Sequence, residues 1–226
     1  LSTHMKHLHL NRLLPVLLGG FLFTTALKAQ PLTAQHAFTR ADTLRGSNGP
    51  GRDWWDALKY DLHVRFSSAD SSISGFNTIQ YKVIKPGTMM QIDLQPGLTI
   101  DSIVRKDAKG STTIPGSALT HEGNAYFFPA AKLANKSIST VSIYYHGRPK
   151  VARRAPWDGG LIWKKDKQQN TWISVACQGL GASVWYPCKD YQGDEPDSAE
   201  THFTIPGDLV CVSNGRFRGK LENSDG

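Results

Sequence analysis

Cysteine is scarce in this 226-residue chain, and so are helical patterns. The three cysteines, Cys177, Cys188 and Cys211, cannot all pair within one chain, and none has the C-x-x-C spacing of a zinc or redox site. Their spacing leaves two alternatives open: a Cys177–Cys188 disulfide, or three small buried thiols. No segment shows a sustained helical period of apolar residues with caps, so a helical protein is excluded.

A zinc motif is also absent. The only His-Glu pair is His121-Glu122, and Ala125 stands where the H-E-x-x-H motif requires a second histidine. The intervening Gly123-Asn124 is typical of a hairpin turn, whereas the motif requires a helix. We therefore predict no catalytic residue and no metal ligand in this chain.

The remaining histidines do not change that prediction. His63 alternates with apolar residues along a predicted strand and should face solvent, so we do not expect it to bind a metal. His121, His146 and His202 are too far apart in sequence to form a site by their spacing.

The N-terminal stretch has the composition of a secretory signal peptide. Lys6 and Arg12 give it a basic start, residues 13–27 are apolar, and Ala29 precedes the cleavage point. The alternative is a membrane anchor, but about fifteen apolar residues are short for a span of roughly twenty. Residues 1–29 are predicted to be a cleaved leader with a short remnant upstream of its methionine. We expect a secreted or periplasmic protein without a membrane span.

The charge pattern does not favour nucleic-acid binding. The formal net charge is +7, part of which belongs to the basic leader. The short clusters Arg153-Arg154 and Lys164-Lys165 are typical of a solvated surface rather than of a basic binding face.

The rest of the chain reads as a flexible arm followed by a β domain. Residues 30–51 are polar and end in Ser-Asn-Gly-Pro-Gly, which is typical of a linker. From residue 52 to residue 226, apolar and polar residues alternate in short runs that glycine and proline turns separate. We predict an all-β domain over residues 52–226, an antiparallel β-sandwich, whose C-terminal end is expected to be incomplete. The clearest apolar sets are Leu58 to Phe66, Ile79 to Val83, and Val141 to Tyr145.

The most irregular segment runs from residue 171 to residue 198. A short strand ends at Cys177-Gln178 and is followed by Gly-Leu-Gly, then by an aromatic-Pro-Cys turn and two acidic clusters. A polar residue beside glycines at a strand end lies where a backbone can approach a ligand. This makes Gln178 the candidate binding residue.

The same segment resembles the end of the N-terminal domain in zinc aminopeptidases of the aminopeptidase N and leukotriene-A hydrolase family. In that family a Gln or Glu is followed nine residues later by Pro-Cys and then by Asp, as Gln178, Pro187, Cys188 and Asp190 are here. The run from Pro156 to Gly160 is similar to that of bacterial, secreted members.

The resemblance implies a saddle-like N-terminal β domain and buried free thiols. It implies that zinc and the catalytic residues belong to a further catalytic domain, so this chain alone should be inactive. It also implies that Gln178 binds the free α-amino group of a peptide substrate. The amide oxygen of glutamine can accept a hydrogen bond from an ammonium group.

Two alternatives remain open at this stage. Gln178 can instead satisfy neighbouring backbone groups, with no role toward a ligand. The chain can also be a stand-alone secreted β-sandwich that binds glycan or protein through its six tryptophans. An H-E-x-x-H motif further along the same reading frame would favour the aminopeptidase.

Overall fold

The computed structural model describes residues 37–107 and 110–223, so the predicted leader lies outside the described residues. One short α-helix and eleven β-strands occur in the described part of the chain. In chain order they are α1 (Arg40–Gly46), β1 (Trp55–Ser67), β2 (Ser72–Val83), β3 (Met89–Asp93), β4 (Leu98–Asp107), β5 (Gly110–Pro115), β6 (Thr120–Glu122), β7 (Ala125–Pro129), β8 (Ile138–Gly147), β9 (Gly160–Lys165), β10 (Thr171–Ala176) and β11 (Ser198–Thr204).

The strands form three sheets. A six-stranded sheet has the order β11-β1-β2-β8-β4-β5, a three-stranded sheet has the order β3-β7-β6, and β9 pairs with β10 alone. Every pairing is antiparallel except that of β1 with β11, which is parallel. The predicted all-β, sandwich-like and mostly antiparallel fold is therefore confirmed. The parallel edge strand was not predicted from the sequence.

The alternation that predicted β1 is found in the structure, with one interruption. Tyr60, Leu62 and Val64 are buried, while the residues between them are partly exposed. A bulge between Ala57 and Lys59 shifts the register, so Trp55 and Ala57 also face the core. A bulge inserts one residue and reverses which face the following side chains occupy. The apolar face therefore continues along the whole strand.

The core lies between the large sheet and β3. Ile79 and Tyr81 on β2 and Ile143 on β8 are buried with Met90 and Ile92 of β3 in one apolar cluster. Unlike the other strands, β3 is buried on both faces, because its polar residues Gln91 and Asp93 are also inaccessible to solvent. Those two residues therefore require hydrogen-bond partners inside the protein.

Part of the predicted flexible arm, residues 30–51, forms helix α1 instead. Thr39 caps the helix: its hydroxyl accepts a hydrogen bond from the Asp42 N–H, and the Asp42 carboxylate accepts one from the Thr39 N–H. Leu44 is buried, and its carbonyl accepts a hydrogen bond from the Gln91 side chain. The sequence pattern missed this helix because seven residues contain too few apolar positions to show a period. No helix in the described ranges is long and apolar enough to cross a membrane.

Candidate functional site

Gln178 lies at the tip of a tight turn that follows β10. The Cys177 carbonyl accepts hydrogen bonds from the Leu180 N–H at 3.1 Å and from the Gly181 N–H at 2.9 Å, which closes the turn. The Gln178 side chain is exposed and has no hydrogen-bond partner among the described residues. Its amide is therefore available to a ligand.

Two close backbone approaches fix the position of this turn. Gly181 has φ of 76°, and a Cβ placed there would lie 2.0 Å from Oδ1 of Asp190. A Cβ on Gly159 would lie 2.9 Å from the Gln178 carbonyl oxygen. Only glycine avoids both the left-handed strain and the clash at Gly181. The turn thus packs directly against the carboxylate of Asp190.

Asp190 is itself held from two sides. The hydroxyl of Ser183, a fully buried residue, donates to its carboxylate at 2.6 Å, and Gln95 donates to that hydroxyl at 3.1 Å. The Asp190 N–H donates to Oδ2 of Asp93 at 3.0 Å. These bonds connect the Gln178 turn to the interior of the domain.

Asp93 is the centre of the buried polar network. Its side chain and that of Arg52 are both inaccessible to solvent and form an ion pair at 2.5 Å. Gln91 donates to the other carboxylate oxygen at 2.8 Å. Burial raises the pKa of the Asp93 carboxyl, and the Arg52 guanidinium opposes that shift. The backbone of Asp93 also exchanges two hydrogen bonds with Cys188, which fixes the turn before Asp190.

The second acidic cluster contributes a structural contact. The ammonium group of Lys189 binds the Asp194 carboxylate and the Trp55 carbonyl, and lies 4.4 Å from the centroid of the Trp55 ring. Burial lowers the pKa of Lys189, and the Asp194 carboxylate opposes that shift. Asp194 also accepts a hydrogen bond from the Ala57 N–H at 3.3 Å. The segment after Asp190 is thereby attached to the start of β1.

All three cysteines are free thiols. Cys188 is buried, which raises its pKa well above the usual range. Cys177 and Cys211 are exposed, so the expectation that all three thiols are buried is wrong for two of them. A disulfide between Cys177 and Cys188 is not formed.

His121 and Glu122 lie on β6, and the predicted hairpin turn at Gly123-Asn124 is confirmed. Glu122 forms an exposed ion pair with Arg40 at 3.1 Å. A zinc-binding H-E-x-x-H motif needs a helix that places two histidines on one face. These residues therefore do not fit the catalytic zinc of a metallopeptidase.

The structure brings together Asp61, His63 and His202, which the sequence pattern did not connect. Nε2 of His63 lies 3.1 Å from Oδ1 of Asp61, and Nε2 of His202 lies 3.4 Å from the same oxygen. The parallel pairing of β1 with β11 places His202 beside His63, although the two residues are far apart in sequence. No sequence spacing carries that signal.

The fold is similar to that of several solved zinc metallopeptidases. An M1 zinc metallopeptidase from Deinococcus radiodurans matches with a TM-score of 0.59 and 17% identity, over 77% of this chain and 38% of that one. A point mutant of M1 zinc metallopeptidase from that organism, bound to a Tyr-Ser-Ala substrate, matches over the same shares with a TM-score of 0.59 and 18% identity. Native yeast LTA4 hydrolase matches with a TM-score of 0.53 and 16% identity, over 76% of this chain and 27% of the hydrolase.

No protein-family model and no curated protein sequence matches this chain. Because these structures share less than one fifth of their sequence with this chain, the likeness shows the fold alone. The chain has the fold of the N-terminal domain of M1 zinc metallopeptidases and LTA4 hydrolase, as the resemblance predicted. It spans well under half the length of those enzymes.

Proposed function

We propose that this chain is the N-terminal, substrate-facing domain of a secreted bacterial zinc aminopeptidase, an enzyme that removes N-terminal residues from peptides. In this proposal zinc and the catalytic groups belong to a separate catalytic domain. Gln178 contributes to the substrate site by accepting a hydrogen bond from the peptide's free α-amino group. The peptide and the catalytic domain are the two partners.

The observation that carries this proposal is the state of Gln178. An exposed side chain with no hydrogen-bond partner among the described residues contributes little to the stability of the domain. Its backbone is nevertheless held firmly through Gly181, Asp190 and Asp93. A rigid backbone that presents a free polar side chain is typical of a binding position. This favours ligand recognition over the alternative in which Gln178 satisfies its own backbone.

The proposal predicts a loss of activity when the amide is removed in the complete enzyme. A hydrogen bond to a charged group contributes about 1.5–3 kcal/mol, so Gln178→Ala should lower kcat/KM roughly ten- to hundredfold on peptides with a free N-terminus. Gln178→Glu should preserve or improve kcat/KM because a carboxylate pairs better with an ammonium group. Steady-state kinetics on free and N-acetylated forms of one peptide would measure this effect.

Gln168→Ala is the matched control, because Gln168 is an exposed glutamine in the turn at the opposite end of the β9–β10 hairpin. Its kcat/KM should equal that of the unmodified enzyme. All three variants should unfold at the same denaturant concentration as the parent. Unchanged kinetics for both Gln178 variants would remove Gln178 from substrate recognition.

The alternative function, a stand-alone module that binds glycan or protein, has one observation in its favour. Trp157 is 81% exposed and Trp172 is 60% exposed, whereas Trp54 and Trp55 are buried in the core. Exposed tryptophans serve as stacking platforms for such ligands. Replacing Trp157 and Trp172 with alanine should abolish binding to a glycan array if this alternative holds. The same change should leave an aminopeptidase fully active on short peptides.

Secretion is part of the proposal and has its own test. We expect export to remove the leader and to leave a mature chain that begins near Gln30. Mass spectrometry of protein recovered from the periplasm or medium would give the N-terminal residue directly. Membrane-bound protein that keeps its first 29 residues would contradict this expectation.

A further inference from the structure

A cluster of metal-binding side chains lies on the outer face of the large sheet. Asp61 and His63 are two residues apart on β1, so they project from the same face of that strand. The parallel partner of His63 on β11 is His202. The register of the sheet therefore places one carboxylate and two imidazoles side by side.

The geometry of this cluster is close to that of a binding site. The two imidazole nitrogens and the carboxylate oxygen all lie within 4.8 Å of one another. The rings of His63 and His202 are stacked with centroids 4.1 Å apart and planes inclined by 7°. Both Nε2 atoms point toward the same oxygen of Asp61.

The surroundings hold these side chains in place. The other face of the His63 ring stacks on Phe76 of β2 at 4.3 Å, so the ring is enclosed between Phe76 and His202. Lys59 and Glu200 lie next to this cluster on the same face of the sheet, and they form an ion pair with each other at 3.0 Å. The Asp61 carboxylate therefore remains directed at the two histidines.

We propose that Asp61, His63 and His202 bind a divalent transition-metal ion such as Zn²⁺. Zinc binds imidazole nitrogen and carboxylate oxygen at about 2.0–2.2 Å, in an almost always four-coordinate arrangement. Small rotations of these partly exposed side chains bring the three ligand atoms around one ion. Two imidazoles favour Zn²⁺, Cu²⁺ or Ni²⁺ over Ca²⁺ and Mg²⁺, which prefer oxygen ligands.

Three protein ligands leave the fourth position of the ion open to water or to a group on another molecule. The inference does not depend on the proposed function. It holds equally for an aminopeptidase domain and for a stand-alone module.

Zinc titration of the purified, tag-free chain tests the site. Competition against a chromophoric chelator should show one tightly held Zn²⁺ that His63→Gln and His202→Gln each weaken by roughly tenfold or more, and Asp61→Asn by a smaller factor. His146→Gln is the matched control, because His146 is an exposed histidine that also contacts a carboxylate, Asp101, at 2.7 Å. Its affinity should equal that of the parent.

The histidines of the leader are unchanged in every variant, so any zinc that they bind is common to all samples. Far-UV circular dichroism should confirm that each variant is folded. Equal zinc affinity in the parent, the two histidine variants and the control would overturn the proposal. If a variant does not fold, NMR of the parent protein provides the test instead. The ring signals of His63 and His202 should shift on addition of Zn²⁺, and unchanged signals at saturating Zn²⁺ would refute the site.

Discussion

Replacing Asp93 with alanine should destabilise this domain by about 3–5 kcal/mol, the usual cost of leaving one member of a buried ion pair uncompensated. Asp93 and Arg52 are both inaccessible to solvent, so the guanidinium would keep no charged partner among the described residues and would gain little water. The same change removes the acceptor of the Asp190 N–H and of the Gln91 amide. Urea unfolding monitored by tryptophan fluorescence would measure the loss in the free energy of unfolding.

Two further variants identify the cause of that loss. Glu122→Ala breaks the Arg40–Glu122 pair, whose side chains are 64% and 51% exposed, and should cost about 0–1 kcal/mol because water screens exposed pairs. The double variant Arg52→Met with Asp93→Leu should be more stable than Asp93→Ala, since it leaves no uncompensated buried charge. A single Asp93→Ala variant as stable as Glu122→Ala would show that the buried pair does not stabilise the fold.

Alanine at Gly181 should cost roughly 2–5 kcal/mol, whereas alanine at Gly179 should cost only about 1–2 kcal/mol. Both glycines have positive φ, 76° and 70°, so alanine is strained at either position. At Gly181 a ψ of −176° adds to that strain, because this combination of φ and ψ is essentially confined to glycine. A Cβ on Gly179 meets open space, but one on Gly181 would displace the Asp190 carboxylate and its 2.6 Å hydrogen bond from Ser183. The difference in stability between the two variants therefore measures the close approach to Asp190 together with the additional backbone strain at Gly181.

The same pair of variants also tests how the Gln178 turn is positioned. If the proposed function holds, Gly181→Ala in the complete enzyme should raise KM for free-amine peptides more than Gly179→Ala does, because the turn can no longer pack on Asp190. Unfolding curves and steady-state kinetics on both variants give the two measurements. Equal stability of the two variants would mean that neither the contact with Asp190 nor the backbone conformation requires glycine at position 181.

The main strands could be predicted because their apolar residues alternate with a period of two, and burial of one sheet face imposes that pattern on the sequence. Tyr60, Leu62 and Val64 are buried as the pattern requires. The hairpin at Gly123-Asn124 was also predicted, because a tight hairpin turn needs residues that tolerate positive φ. In the structure Gly123 has a φ of 60°. These features depend only on neighbours along the chain, and so the sequence carries them.

Helix α1 depends on contacts with residues that are distant in the sequence. Its seven residues are too few to display a helical period, and its one buried side chain, Leu44, gains its environment only where the helix packs near Gln91 of β3. The Arg52–Asp93 pair is similar, because a charged residue in a polar stretch and another in a short strand carry no sign that they will be buried together. Which polar side chains become buried therefore depends on how the sheets pack together.

The candidate sites divide in the same way. Glycines around Gln178, at the end of an apolar strand, predicted an irregular turn from the sequence itself, because glycine permits such a backbone most readily. What holds that turn, the contact of Gly181 with Asp190, is decided by tertiary packing. The cluster of Asp61, His63 and His202 is decided by packing alone, since β11 joins β1 in parallel and brings distant residues into register. The sequence thus determined the main strands, the hairpin and the turn that carries Gln178. The tertiary structure decided which charged and metal-binding side chains meet, because those contacts depend on the order of strands in the sheet and not on local pattern.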